Sequence, residues 1–417
     1  MKERGMKEGG MNGEGRKAPV TGGGTGGGTG GGTGGSWKHY VDDRPYPDPA
    51  AADAPATRFD ANASTGRLML RRFLRHRLAV LGALFLGLSY LSLPFVDFLV
   101  PYSANERDVE HLYAPPQGVH LFHEGQFIGP FVYPTTGRPD LKDYRWRYET
   151  DVNRPMPLQF LCPGAPYRFL GLVESRVRLV CPPLGASLHL LGTDRLGRDM
   201  LSRLAIGAQL SLTVGLLGIA VSFAIGITLG GMAGYFGGWI DAGVQRLSEI
   251  LKSLPELPLW LALSAAVPAQ WSPVTVFLCI SVILGLLDWP SLARAVRSRF
   301  LALREEDFVM AAELMGASPA RIIRRHLLPN FASHLLASAT LSIPAMILGE
   351  TALSFLGLGL RPPATSWGVM LNDAQNLMAV ETYPWVSLPM LPVILVVLSF
   401  NFFGDGLRDA LDPYHGD

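Results

Sequence analysis

Residues 307–330, DFVMAAELMGASPARIIRRHLLPN, interrupt a chain otherwise built from long apolar runs. Acidic residues open the stretch (Glu305, Glu306, Asp307), where the positive end of a helix dipole favours them. Ala311 and Ala312 keep that first helix slim, Glu313 follows, and Gly316 supplies a left-handed stop. After Ala317, Ser318 is read as the cap of a second helix whose first position is Pro319, where a missing N–H costs nothing. That helix carries Arg321, Arg324, Arg325 and His326 and is expected to end near Leu328 and Pro329, since proline cannot extend the hydrogen-bond ladder. The spacing predicts a compact helix–turn–helix with one small-residue face and one arginine-rich face. Arginines alone would suit anionic lipid headgroups. The Ala-Ala, Gly and Ser-Pro punctuation fits a docking element for another protein better.

The flanking sequence sets the class. Of 417 residues, 48% are hydrophobic and only 17% are charged, and the apolar excess lies in runs. Six runs are apolar and about long enough to cross a ~30 Å hydrocarbon layer as helices. They cover residues 78–100, 209–234, 246–267, 273–293, 333–357 and 386–404. Gly and Pro inside several of them would argue against a soluble helix. In a membrane bundle, small residues allow close approach and neighbouring helices satisfy freed backbone groups. The expectation is an all-α polytopic membrane protein with six transmembrane helices. A formal net charge of +1 gives no electrostatic case for a nucleic-acid partner.

Arginine placement orients the bundle. Arg67, Arg71, Arg72, Arg75 and Arg77 precede the first run, and seven arginines lie between the fourth and fifth, from Arg294 to Arg325. The short connections on the other side are nearly bare of Lys and Arg, so both basic clusters are expected to be cytoplasmic. Both termini then lie inside and residues 101–208 outside. The domain reading is a 1–66 cytoplasmic tail, a first transmembrane helix over 67–100, an external insertion over 101–208, a five-helix core over 209–413 and a 414–417 tail.

The tail contains TGGGTGGGTGGGTGG, a low-complexity tract that cannot bury enough apolar surface to order itself. Disorder is expected through about residue 60, with no signal peptide. Alternation suggests short strands near 119–133 and 157–180, hence a small β-rich subdomain in the external insertion. Cys162 and Cys181 fall there and could bridge if the segment is exported. His120, His123 and Glu124 match no helical zinc spacing and are read as surface residues, so no metal is expected. Charged residues near the runs, Asp288, Glu256 and Glu350, are costly in lipid unless they face protein or water. Pathway lining and buried or helix-end pairing both stay open for them.

Several motifs now carry a resemblance. The stretch AAELMGASPARIIRRHLLP resembles the loop of ABC-importer permeases in which Glu-Ala-Ala is followed by Gly and then Leu-Pro at fixed spacing. Ala311, Ala312, Gly316, Leu328 and Pro329 fall on the pattern, with Met310 in place of the Glu and His326 in place of an Ile. LLGTDRLGRDMLSRLAIGAQLSLTVGL (190–216), GYFGGWIDAGVQRLSEIL (234–251), SFLGLGLRPPATSWGVML (354–371) and NFFGDGLRDALDP (401–413) are similar to the oligopeptide/dipeptide/nickel group, C-type subunit. The resemblance spans residues 67–413. It implies a subunit in a bacterial inner membrane that forms half of a translocation pathway for peptides or similar solutes. It also implies a B-type sister permease, two cytoplasmic ATPases holding ATP and Mg, and an extracytoplasmic solute-binding protein. By the same resemblance, Gly192, Thr193, Asp194, Gly197, Arg198 and Asp199 lie at the external mouth. They act there either as a gate or binding-protein contact, or as a charge-paired turn that orients the second run.

The residues agree on one point: no G-x-x-x-x-G-K-[ST] phosphate loop occurs anywhere in the chain, so no ATP cofactor is expected on this subunit. The rival readings are a secondary transporter or channel, which would leave the 305–329 loop unemployed, and a membrane-anchored enzyme. For the second, residues 105–188 hold no Ser/His/Asp or paired-carboxylate constellation.

Overall fold

The computed structural model describes residues 65–411 apart from 141–144, 170–172, 183–184 and 269. The expected disorder of residues 1–60 and the 414–417 tail lie outside the described residues. The first helical stretch is α1 (Thr65–Arg75), α2 (Arg77–Ser92) and α3 (Val96–Leu99). His76 breaks it between α1 and α2, its ring accepting from Ala79 N–H at 3.1 Å as an N-cap. Among the described residues seven strands follow: β1 (His120–His123), β2 (Gln126–Val132), β3 (Thr135–Asp140), β4 (Arg145–Thr150), β5 (Met156–Pro157), β6 (Gln159–Phe169) and β7 (Val173–Cys181). They pair antiparallel as β1–β2–β5, β3–β4 and β6–β7. Cys162 and Cys181 join as a disulfide across the β6–β7 hairpin, their Cα atoms 6.4 Å apart.

The helical part runs α4 (Met200–Phe236), α5 (Gly238–Ser253), α6 (Glu256–Ala265), α7 (Pro273–Leu303), α8 (Asp307–Leu314), α9 (Pro319–Ile322), α10 (Leu328–Phe355), α11 (Trp367–Asp373), α12 (Leu377–Thr382) and α13 (Met390–Leu411). Among the described residues, five helical stretches are long and apolar enough to cross a membrane: Arg77–Leu99, Met200–Phe236, Pro273–Leu303, Pro319–Phe355 and Pro384–Leu411.

Three expectations need correcting. Residues 246–267 do not form one helix: α5 and α6, 16 and 10 residues long, meet at an extended Leu254. Leu254 precedes Pro255, whose ring pushes its neighbour out of the helical region, and Pro255 has no N–H to offer the ladder. The boundary at 208/209 falls inside α4, which starts nine residues earlier, where the Asp199 carboxylate accepts from Ser202 N–H and caps it. Finally, the helix carrying Arg321 does not stop at Leu328 and Pro329. A π turn over Ile323–Leu327 joins α9 to α10, with Leu328 N–H reaching back to Ile323 O. This wider turn admits the proline at the start of α10 instead of ending the helix.

Helix contacts rest on small residues. A Cβ on Gly230 of α4 would collide with the carbonyl oxygen of Ala293 on α7, and one on Gly285 of α7 with that of Gly218 on α4. Without a hydrophobic driving force between helices in lipid, such backbone proximity supplies the dispersion contacts that hold them together. Next to this pair, Phe300, Leu303, Val309, Ala312, Ile322, Leu327 and Phe331 form one buried cluster, so α8 and α9 share a core with α7 and α10.

Candidate functional site: a two-helix knob and a charged mouth

The knob is α8, a glycine turn and α9. Val309 and Ala312 on α8, and Ile322 on α9, are essentially inaccessible. Gly316 has φ +75°, the left-handed conformation that a side chain resists. It closes α8 with Ala317 N–H donating to Ala312 O at 3.0 Å. Ser318 is extended before Pro319, but its hydroxyl makes no capping bond; its carbonyl accepts Arg321 N–H and Ile322 N–H at 2.9 and 3.0 Å. Ser318 therefore acts through its backbone, which corrects its expected role as a side-chain cap. Glu313 accepts a 2.8 Å hydrogen bond from Tyr235 OH near the end of α4. The apex is apolar and uncovered: Leu314 is 90% and Met315 80% exposed. Arg321, Arg324 and Arg325 are exposed on the flank.

The turn leading into α4 is the segment expected at the mouth. Gly192 and Gly197 take φ of +78° and +72°, bending the chain so that Thr193, Asp194, Arg198 and Asp199 all point inward and are buried. Thr193 Oγ1 accepts from Ala114 N–H at 2.7 Å, and Thr193 O accepts from Trp385 Nε1 at 3.0 Å. Asp194 pairs with Arg198 at 2.6 Å and Arg203 at 2.5 Å. Asp373 at the end of α11 completes the group, 3.1 Å from Arg198 and 3.3 Å from Arg203. Asp194 and Asp373 thus offset two buried guanidiniums, whose charges would be costly to hold away from water unpaired. Asp108 adjoins this turn, with His111, Ser187 and His189 around it. Burial pushes the Asp108 carboxyl up, but the His111, His189 and Ser187 groups around it outweigh that and hold it well below the usual carboxylate range. The hydrogen bond to Asp108 raises His111, and both Asp108 and Asp199 raise His189 against the effect of its burial.

Two stretches of the chain match known protein families. Residues 226–414 match the model of the binding-protein-dependent transport system inner membrane component. Residues 64–116 match the N-terminal transmembrane domain of oligopeptide transport permease C. A putative peptide permease protein of Brucella suis is 43% identical over 54% of this chain and 73% of its own length. The chain belongs to this family of ABC-importer permeases. The dipeptide transport system permease protein of Alkalihalophilus pseudofirmus is 41% identical over 54% of this chain and 72% of its own. Among solved structures, the inward-facing MetNI methionine ABC transporter matches with 20% identity and a TM-score of 0.39, over 51% of this chain and 98% of that one. The permease is accordingly a multi-pass inner-membrane component, and its family is not one of catalysts. All of the named β strands and the whole mouth turn lie outside both matched stretches.

The three acids near the apolar spans of the permease each have their own polar partners. Glu350 is wholly buried on α10, where one oxygen accepts from Ser354 Oγ at 2.7 Å and Ser366 Oγ at 2.8 Å. Asp288 on α7 accepts from Ser222 Oγ of α4 at 3.1 Å. Glu256 is exposed at the start of α6 and pairs with Lys252 at 2.6 Å. Sequence reading missed Asp373, Asp108, His111, His189 and Ser366. Only Asp108 and His111, three residues apart, carry a local signal.

Proposed function

We propose that this permease forms half of a translocation pathway for peptides or similar small solutes, driven by ATPases that dock on its knob. A B-type sister permease supplies the other half. Two cytoplasmic ATPase subunits hold ATP and Mg, and an extracytoplasmic solute-binding protein delivers cargo at the mouth. The α5–α6 pair is the third of six crossings, broken at Leu254 and Pro255, which returns both termini to the cytoplasm. Residues 101–199, with the β strands and the disulfide, are then outside, in the oxidising compartment that favours such a bond. The exposed knob residues Ala311, Glu313, Gly316, Ser318, Pro319 and Arg321 face the motor. Ala312, Ala317 and Leu328 seat the knob on the bundle, and the exposed Pro329 lies in the first turn of α10.

One observation carries this reading: the knob has a fully buried base, an uncovered apolar apex, and a helix that runs on through α10 without a break. A segment built this way transmits displacement rather than absorbing it. Closure of the ATPase dimer would push α8 and α9 as one body, and α10 would carry the movement to the pathway as a hinge or shear motion of packed helices. The buried ion pairs at the mouth fit a turn that holds the start of α4 while the other end moves. Peptide cargo is supported by the names of the relatives.

The test is Leu314→Asp with Met315→Asp in the assembled transporter. The variant should insert normally yet fail to retain the ATPase subunits on purification. Full retention would refute the knob as the docking element.

A further inference from the structure

The group around Asp108 has a chemistry that peptide transport does not use. His111 Nε2 lies 2.9 Å from the carbonyl oxygen of Thr135, which can only accept, so Nε2 carries the proton. His189 Nδ1 lies 3.2 Å from Asp199 Oδ1 and faces another acceptor, so it too is the protonated nitrogen. In the neutral rings, the lone pairs therefore sit on His111 Nδ1 and His189 Nε2. Both are turned toward one oxygen: His111 Nδ1 is 2.9 Å and His189 Nε2 3.5 Å from Asp108 Oδ2. His189 is 1% exposed, and its Nε2 makes no hydrogen bond among the described residues beyond the long 3.5 Å contact with Asp108. A buried nitrogen left this way costs about 1–3 kcal/mol unless something else engages it.

We propose that Asp108, His111 and His189 form a binding site for a divalent transition cation of the zinc type, at the base of the mouth turn. The three ligand atoms lie within 4.8 Å of one another. Tetrahedral zinc with N and O ligands sets them ~3.3 Å apart, and the two distances to Asp108 Oδ2, 2.9 and 3.5 Å, bracket that value. Two imidazoles and one carboxylate are the donor set that suits zinc over calcium or magnesium. The outer partners follow the pattern of metal-bound histidines: one outer N–H goes to a backbone carbonyl and the other to a carboxylate, fixing tautomer and ring orientation. Charge also balances, since Asp108 and Asp199 offset a dication. The competing arrangement puts a second proton on each ring and sets two imidazolium rings 5.5 Å apart. Asp108 keeps 27% of its side chain exposed. Tyr102, Glu106 and Arg107 line an open cavity of about 310 Å³ beside it, giving an entry route and room for a water as fourth ligand. A bound cation would tie residues 108–111 to the 187–199 turn. The site is distinct from His120 and His123, which lie on β1.

The experiment uses the purified full-length chain in detergent, stripped of metal by chelation and titrated with Co²⁺ as a spectroscopic probe. One Co²⁺ per chain with intense tetrahedral-type visible bands, displaced by Zn²⁺, is the expected result. His111→Gln and His189→Gln should each weaken binding at least ~10-fold, while His120→Ala with His123→Ala leaves it unchanged. Should the glutamine variants fold poorly, zinc-edge X-ray absorption of the wild-type chain must show imidazole scattering. Failure of the wild type to retain Co²⁺, an oxygen-only zinc shell, or a site that survives both glutamine variants would overturn the proposal.

Discussion

At the residue scale, Gly316 and Glu350 make opposite demands. Gly316 is held at φ +75° with nothing within 4 Å of where a Cβ would sit, so a substitution there meets backbone strain and no collision. A β-branched side chain in this region costs about 1–2 kcal/mol, whereas Asn visits it readily. Gly316→Asn should therefore keep cargo-stimulated ATP hydrolysis near the wild-type level, and Gly316→Val should reduce it several-fold while membrane insertion survives. ATPase assays on the reconstituted complex separate the two. Glu350 instead satisfies two buried hydroxyls with one oxygen. Glu350→Leu strands both serines at about 1–3 kcal/mol and should lower the melting temperature, while Glu350→Gln keeps the acceptor and should fall close to wild type. The glycine was legible in the sequence because helix stops carry a local signature. Ser366, a serine partner of Glu350, was not: it lies sixteen residues away and arrives only through the fold. Asp373 escaped for the same reason, since its arginines lie some 170 residues earlier.

At the element scale, the helices were readable as apolar runs, but their ends depended on local backbone geometry. Leu254 and Pro255 break what hydropathy joins, while Pro329 fails to break what proline rules would separate. In the first case, the extended residue before proline leaves no wide turn to absorb the missing bond. In the second, the π turn does. The α4–α7 contact is the element on which the bundle depends most, because backbone meets backbone at Gly230 and Gly285. Gly230→Val drives a side chain into the Ala293 carbonyl. Overpacking of this kind costs about 1–3 kcal/mol or more, and the variant should show a lowered midpoint in thermal unfolding monitored by size-exclusion recovery. Gly243, on α5 with open space around it, is the matched control: Gly243→Val should leave the midpoint nearly unchanged.

At the scale of the whole molecule, the account ties a knob on one side of the bundle to an ion-paired mouth on the other through α10, α11 and α4. The sidedness is testable on intact cells. A cysteine placed at Leu314 should resist membrane-impermeant thiol reagents until the cells are opened, and one placed at Val109, which is 71% exposed, should react at once. The central claim is that the apex of the knob touches a motor subunit. A photo-crosslinking amino acid at position 314 of the permease, in membranes containing the whole transporter, tests it directly. The account predicts a covalent adduct with an ATPase subunit whose yield changes when nucleotide is added; adducts with lipid or the sister permease alone, with or without nucleotide, would contradict it.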